Sequence, residues 1–298
     1  MNSMTTAERR GYQMICDATG SMMVVACDQR GGMRTLLASD PEDQKKIGND
    51  VLGLTKYDIT SYLASEAGCV LVDPLCAVPG IIDEGVLPRN TALLVGLDAS
   101  GWEETSEGYR VSTLCEGIDA RRVRELGATG GKIMVYLRSD TPAANTANIK
   151  TLCKVVEDFN AEDLFLVVEF LTYKLPNETQ EDYEKKIPEL IQDGCKICIE
   201  CGSKVLKIPF PGSEESCLAV TRICGDIPWA VLSAGVDHST FLGQVETSLK
   251  SGASGVIAGR SLWKDCISLD RNTSKEKLST TAVSRLKDIQ ALLKKYRG

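Results

Sequence analysis

Three charged residues stand inside apolar runs, and their types suit one kind of chemistry. Lys132 opens the run KIMVYL, Glu169 sits inside FLVVEFL, and Lys207 sits inside VLKIPF. A lone charge within an apolar strand is costly unless it is paired or functional. A lysine is a poor nucleophile while protonated, and its free pKa is about 10.4. Burial and a neighbouring cation both favour the neutral amine. Lys207, enclosed by Val205, Leu206, Ile208 and Pro209, meets the first condition, and Lys132 is the candidate for the second. Glu169, on the run between them, is the candidate proton shuttle. A neutral lysine attacks a ketone to give a carbinolamine and then an iminium ion. The iminium withdraws electrons and stabilises a carbanion on the adjacent carbon, so a carbon–carbon bond can break without a metal. The alternative reading of the same Lys and Glu is a structural ion pair.

A second group of residues suits a phosphate. SAGVD (233–237) and AGR (258–260) each follow an apolar run. Glycine permits close backbone approach to an anion, so Gly235 and Gly259 fit that role. Ser233 offers a hydroxyl and Arg260 a charged fork. Asp28 and Asp73 end two further runs, where they serve either the chemistry or the capping of strand ends and helix N-termini.

Such residues need a scaffold that brings run ends together. Apolar, largely β-branched runs recur at 22–29, 69–74, 92–97, 132–137, 165–171, 205–210, 229–235 and 255–259. Runs of this kind suit parallel strands buried on both faces. Helical spacing appears between them, in DARRVRELGA (119–128), NIKTLCKVVEDFN (148–160) and STFLGQVETSLKSGA (239–253). Eight strands alternating with helices predict a closed (β/α)8 TIM barrel, with an open doubly wound sheet as the alternative. Barrels of this type place functional groups at the carboxyl ends of their strands, and often hold phosphate after the last two. The segment 98–118 reads as a long loop, and 274–298 as a closing helix. No repeat or linker divides the chain, so residues 1–298 are expected to form a single domain.

Composition agrees with that scaffold. The chain has 298 residues, 43% hydrophobic and 25% charged, with a net charge of −7. No basic patch suggests nucleic acid or an anionic membrane, and no apolar run approaches a spanning helix or a signal peptide. A small-molecule substrate and a cytoplasmic location are expected. The twelve cysteines are scattered through apolar segments, which favours reduced thiols over a disulfide scaffold. A single histidine, His238, cannot supply the several imidazoles that zinc enzymes usually employ. No metal and no cofactor are expected.

The segments ACDQR (26–30), LVDP (71–74), KIMVYLRSD (132–140), VVEFLTY (167–173), VLKIPF (205–210), LSAGVD (232–237) and SGASGVIAGRSLW (251–263) resemble the class I tagatose-1,6-bisphosphate aldolases and the related sulfofructose-phosphate aldolases. The similarity runs from about residue 20 to about 265. It implies that Lys207 forms the Schiff base, that Glu169 is the acid/base group, and that Lys132, Asp28 and Gln29 share their site. It implies that Ser233, Gly235, Gly259 and Arg260 hold the phosphate of the dihydroxyacetone half. EFLTY and LVDP look like the tagatose branch, whereas YLRSD resembles the sulfosugar branch. The far end of the substrate would carry a phosphate or a sulfonate, with Arg30 and Arg138 as the candidates that hold it. The resemblance leaves room for a homo-oligomer, but the sequence places no interface.

Other features read as packing. Cys195, Cys198 and Cys201 in CKICIEC would spread over one broad helix face, without a clear fourth ligand for a metal. His238 reads as a surface or capping residue. Trp102, Trp229 and Trp263 read as packing residues rather than a stacking platform. Two functions of other classes compete with the lyase: a phosphosugar isomerase or epimerase, and a non-catalytic phosphosugar sensor.

Overall fold

The run MMVVA has no polar residue to leave in water, so it suits a strand covered on both faces. Residues Met22–Ala26 form β1 with every side chain buried. The computed structural model describes residues 3–298. It continues with β2 (Cys69–Val72), β3 (Ala92–Gly96), the two-residue strands β4 (Glu103–Glu104) and β5 (Arg110–Val111), β6 (Gly130–Tyr136), β7 (Phe165–Leu171), β8 (Leu206–Ile208), β9 (Trp229–Leu232) and β10 (Gly255–Ala258). Eight of these pair in parallel in the closed order β1-β10-β9-β8-β7-β6-β3-β2. Closure is made by β1 on β10, with Met22 opposite Gly255 and Val25 opposite Ala258. The open doubly wound sheet is therefore excluded, because no barrel edge is left unpaired.

Strand alternation divides the core in two. Met22, Val24, Ala26, Leu71, Leu94, Val167, Val205, Ala230 and Ile257 fill the barrel interior. Their neighbours Met23, Val25, Val70, Val95, Val168, Leu206 and Val231 face outward, packing with Phe159, Ile191, Phe241 and Leu286 from the surrounding helices. Continuing the inner parity past the apolar layer gives Asp28 after β1, Lys132 in β6, Glu169 in β7 and Lys207 in β8. Charge replaces hydrocarbon where the barrel opens.

The structure departs from expectation in two places. Within 98–118, β4 and β5 form an antiparallel hairpin, with Glu103 opposite Val111 and Glu104 opposite Arg110. Two-residue strands are too short to show a period in sequence. The turn closes through the Thr105 amide donating to the Tyr109 carbonyl at 2.9 Å, with Gly108 at φ 79°.

The second departure concerns the cysteines. Cys195 and Cys198 are buried on the helix Gln180–Glu200, as their spacing suggested. Cys201, at the end of that helix, forms a disulfide with Cys153 of the helix Pro142–Ala161, with Cα atoms 4.9 Å apart. The expectation of reduced thiols is corrected for this pair. Helix packing brings residues 48 apart in sequence to bridging distance. The other ten cysteines are free.

The expected closing segment forms the helices Arg271–Lys277 and Val283–Arg297, joined by a π-turn. Among the described residues, no helix is long and apolar enough to cross a membrane.

Candidate active site

β6, β7 and β8 present their inward side chains side by side, and the register aligns them. Met134 lies opposite Glu169, and Glu169 opposite Lys207. Lys207 Nζ lies 2.8 Å from Glu169 Oε2. The same oxygen lies 3.2 Å from Lys132 Nζ. Lys132 Nζ also contacts Asp28 Oδ2 and Asp98 Oδ1, each at 2.7 Å. Lys132, Glu169 and Lys207 are all buried.

The electrostatics follow from this crowding. Burial opposes charge on Lys132, but Asp28, Asp98 and Glu169 outweigh it and hold the amine well above its ordinary range. Lys132 is thus a fixed cation beside Lys207. Burial likewise pushes the Asp28 carboxyl up, and the charges of Lys132 and Lys207 reverse that, leaving it below the ordinary carboxylate range. Asp98 goes the other way. Its burial, together with repulsion from Asp28 and Glu169, exceeds the pull of Lys132 and raises its pKa. One cluster therefore contains carboxyls biased toward opposite protonation states, which is how acid and base roles are divided.

These groups line a cleft of about 190 Å³, bounded also by Gln29, Arg30, Met134, Tyr136, Leu171 and Arg260. Within it, Asp28 Oδ1 and Gln29 Oε1 are buried without a hydrogen-bond partner among the described residues. Acceptors left in this state are ready for ligand hydroxyls. Of the expected phosphate residues only Arg260 lines the cleft; behind it, Gly259 donates its amide to Ser233 Oγ at 3.4 Å. Gly235 has φ 82°, and a Cβ there would sit 3.1 Å from the Arg260 guanidinium carbon. The positive φ favours glycine at this point, and a Cβ would press on the flexible end of the Arg260 side chain. Ala234, beside it, also has positive φ, at 46°.

Four expected residues need separate comment. Arg30 reaches the cleft and donates to the Asp98 carbonyl at 3.1 Å. Asp73 lies outside the cleft lining, buried against the Lys56 ammonium and 3.6 Å from Arg30. It orients Arg30 from behind. Arg138 is turned away altogether. It is fully buried and donates to Asp140, Glu178 and the Tyr173 carbonyl at 2.6–2.9 Å. With its fork committed to those oxygens, Arg138 is not free to hold a substrate anion. His238 opens the helix His238–Lys250 and contacts Asp288 at 3.1 Å, a surface role.

Sequence reasoning missed Asp98, Tyr136 and Lys56. Asp98 follows LLVGL in the same way that Asp28 follows MMVVAC, so the rule applied to one strand end would have found the other. Trp102 was also misread. It is 42% exposed and carries the Arg110 guanidinium 3.9 Å above its ring, whereas Trp229 and Trp263 are buried packing residues as expected.

A closed parallel barrel with a lysine–carboxylate cluster at the carboxyl ends of its strands defines a barrel enzyme built for carbonyl chemistry. Comparison makes this specific. The model of the DeoC/LacD family aldolases matches residues 22–265, and the chain belongs to that family. It is an aldolase, an enzyme of the lyase class, and the isomerase and sensor alternatives give way to this. Tagatose 1,6-diphosphate aldolase 2 of Streptococcus agalactiae is 24% identical, over 98% of this chain and 96% of its own. The Listeria monocytogenes tagatose 1,6-diphosphate aldolase is 26% identical, over 90% of this chain and 84% of its own. Among solved structures, an archaeal fructose-1,6-bisphosphate aldolase with its catalytic Lys bound to the carbinolamine intermediate shares the fold. Its TM-score is 0.63 at 19% identity, covering 97% of this chain and 99% of that one.

The Arg138 network gives a stability prediction. Hydrogen bonds from Arg138 outweigh burial and hold the Glu178 carboxyl down to about 2. Arg138→Met leaves Glu178 and Asp140 without their main partner and is expected to cost roughly 2–4 kcal/mol, discounted from the fully buried case because Asp140 is partly exposed. Glu178 is depressed in the folded state, so its contribution is present above its unfolded pKa and is lost as pH falls toward 2. The difference between wild type and variant in urea midpoints should therefore shrink on acidification. An unchanged midpoint at neutral pH would show that the network adds nothing.

Proposed function

We propose that this enzyme is a Schiff-base aldolase that cleaves a ketose 1,6-bisphosphate, with tagatose 1,6-bisphosphate as the substrate, to dihydroxyacetone phosphate and glyceraldehyde 3-phosphate. The observation that carries this reading is the contact chain from Lys207 Nζ through Glu169 Oε2 to Lys132 Nζ inside the cleft. Lys207 Nζ adds to the C2 ketone while its proton passes to Glu169. The carbinolamine hydroxyl takes a proton back and leaves as water, giving the iminium. The C4 hydroxyl then loses its proton to a carboxylate of the cluster, for which Asp28 Oδ1 is the unpartnered acceptor. The C3–C4 electron pair moves into the iminium to form the enamine, and the aldehyde departs. Protonation at C3 and hydrolysis return Lys207. Ser233, Gly235, Gly259 and Arg260 receive the phosphate of the dihydroxyacetone half, while Gln29 Oε1 accepts from a sugar hydroxyl.

The names of the curated relatives support tagatose over sulfofructose. The YLRSD segment resembles the sulfosugar branch, but its arginine is committed to Asp140 and Glu178 and holds neither a distal phosphate nor a sulfonate. A product assay offers tagatose bisphosphate, fructose bisphosphate, their monophosphates and sulfofructose 1-phosphate side by side. The highest kcat/KM is expected for tagatose bisphosphate. A preference for sulfofructose 1-phosphate would replace this substrate while leaving the lysine chemistry intact.

A further inference from the structure

The proposed substrate carries a second anion on its aldehyde half; Arg138 cannot meet it, and Arg30, although it lines the cleft, is engaged with Asp73, the Asp98 carbonyl and Cys115. We propose that Arg110, presented by the β4–β5 hairpin, recognises that distal anion and sets the preference for a doubly anionic ketose. The inference rests on the aldolase reading and assigns the part of the site that reading left open.

Arg110 has the properties of a waiting anion ligand. Its guanidinium lies over Trp102 at 3.9 Å and close to the rings of Tyr136 and Tyr173, at 5.2 and 5.0 Å. The rings support each other edge to face, Trp102 on Tyr136 at 5.5 Å and Tyr136 on Tyr173 at 5.8 Å. Its backbone is fixed as well. The Arg110 amide donates to the Tyr173 hydroxyl at 3.2 Å, and its carbonyl accepts from Asn148 Nδ2 at 2.8 Å. Yet no carboxylate pairs with Arg110 among the described residues, although Arg30, Arg138, Arg271 and Arg285 each have one. The Tyr136 hydroxyl takes one hydrogen bond from the guanidinium, and a planar cation held on aromatic faces, with five N–H donors and no carboxylate partner, keeps the others for a phosphate.

Position agrees. Tyr136, which Arg110 touches, lines the cleft and is two residues past Met134, the register partner of Glu169. At about 3.3 Å per residue, it lies roughly 7 Å further toward the barrel mouth. In the barrel order, β8 with Lys207 and then β7 with Glu169 lie between β9 and β6. A ketose held by Arg260 at one end and by Lys207 at C2 therefore points its remaining carbons toward Tyr136 and Arg110.

The test compares Arg110→Ala and Arg110→Gln with wild type on the ketose 1,6-bisphosphate and on the corresponding 1-monophosphate. Expected is a rise in KM of about 10–100-fold for the bisphosphate alone, the range for losing a charge-assisted hydrogen-bond pair. The monophosphate should keep its kcat/KM within about twofold, and borohydride trapping with dihydroxyacetone phosphate should proceed at the wild-type rate. Arg110→Lys should recover little, since an ammonium lacks the fork. Equal losses on both substrates, or loss of trapping, would make Arg110 a structural clamp and overturn the assignment. So would an unchanged KM. A wild-type chain that cleaves neither sugar overturns the aldolase reading itself, which is a different result from an unselective variant of an active enzyme.

Discussion

Lys207→Met reduces carbon–carbon cleavage by at least about 10⁴-fold and abolishes borohydride-dependent labelling by dihydroxyacetone phosphate. The size follows from the role, because the amine is the nucleophile and the iminium nitrogen is the electron sink, and a thioether supplies neither. Residual cleavage would come only from binding and from acid–base catalysis by Glu169. Folding should survive the change. Methionine fills the apolar space left by the lysine stem, and Glu169 keeps its contact with Lys132 at 3.2 Å, so no carboxylate is left unpaired. The melting temperature should consequently move by only a few degrees. Wild type, reduced in the presence of dihydroxyacetone phosphate, should gain the mass of one reduced adduct on the peptide containing Lys207. Cleavage at the wild-type rate by the variant would remove the covalent mechanism, and adduct mass on a different lysine would move the nucleophile elsewhere.

The barrel was legible in the sequence because its signal is written in every strand. MMVVA and CVLV are apolar on both faces and FLVVEFL is so apart from Glu169, and eight such runs leave few other arrangements. The cluster was legible for the same reason, since Glu169 and Lys207 are conspicuous where every neighbour is apolar. Asp98 was lost because it stands beside Ala99, Ser100 and Gly101 and reads as the first loop residue; only the inner parity of β3 marks it. Arg110 and Trp102 were lost for a different reason. Their hairpin has strands of two residues, and the contacts that define it run to Tyr136 and Tyr173, which lie 26 and 63 positions beyond Arg110. Arg138 shows the opposite case. The resemblance made it a candidate for the distal anion, but Glu178, from 40 positions away, captures its fork. A charged residue's partner across the fold cannot be read from its own strand.

Lys132→Met should be the more damaging substitution for the fold. It removes the cation that touches Asp28, Asp98 and Glu169 at once, at 2.7, 2.7 and 3.2 Å. Glu169 retains Lys207 at 2.8 Å, but Asp28 and Asp98 lose their shared counter-ion inside the barrel mouth. Breaking such a buried pair costs about 3–5 kcal/mol at neutral pH. The pH dependence identifies the cause. In wild type, Asp28 lies below the ordinary carboxylate range, so it stabilises the fold above its unfolded pKa and loses that contribution on acidification. Without Lys132, burial and mutual repulsion raise both aspartates above their unfolded values, as they already raise Asp98. The folded variant then binds more protons than the unfolded chain, so its stability falls as pH rises above about 4. Urea unfolding at pH 5 and pH 8 should show the larger deficit at pH 8. Activity should fall by about 10²–10³-fold even at the pH where the variant is folded, because the fixed cation beside the nucleophile is gone. A stability deficit equal at both pH values would mean that the loss comes from packing alone, and the three carboxylates would then not be held by this lysine.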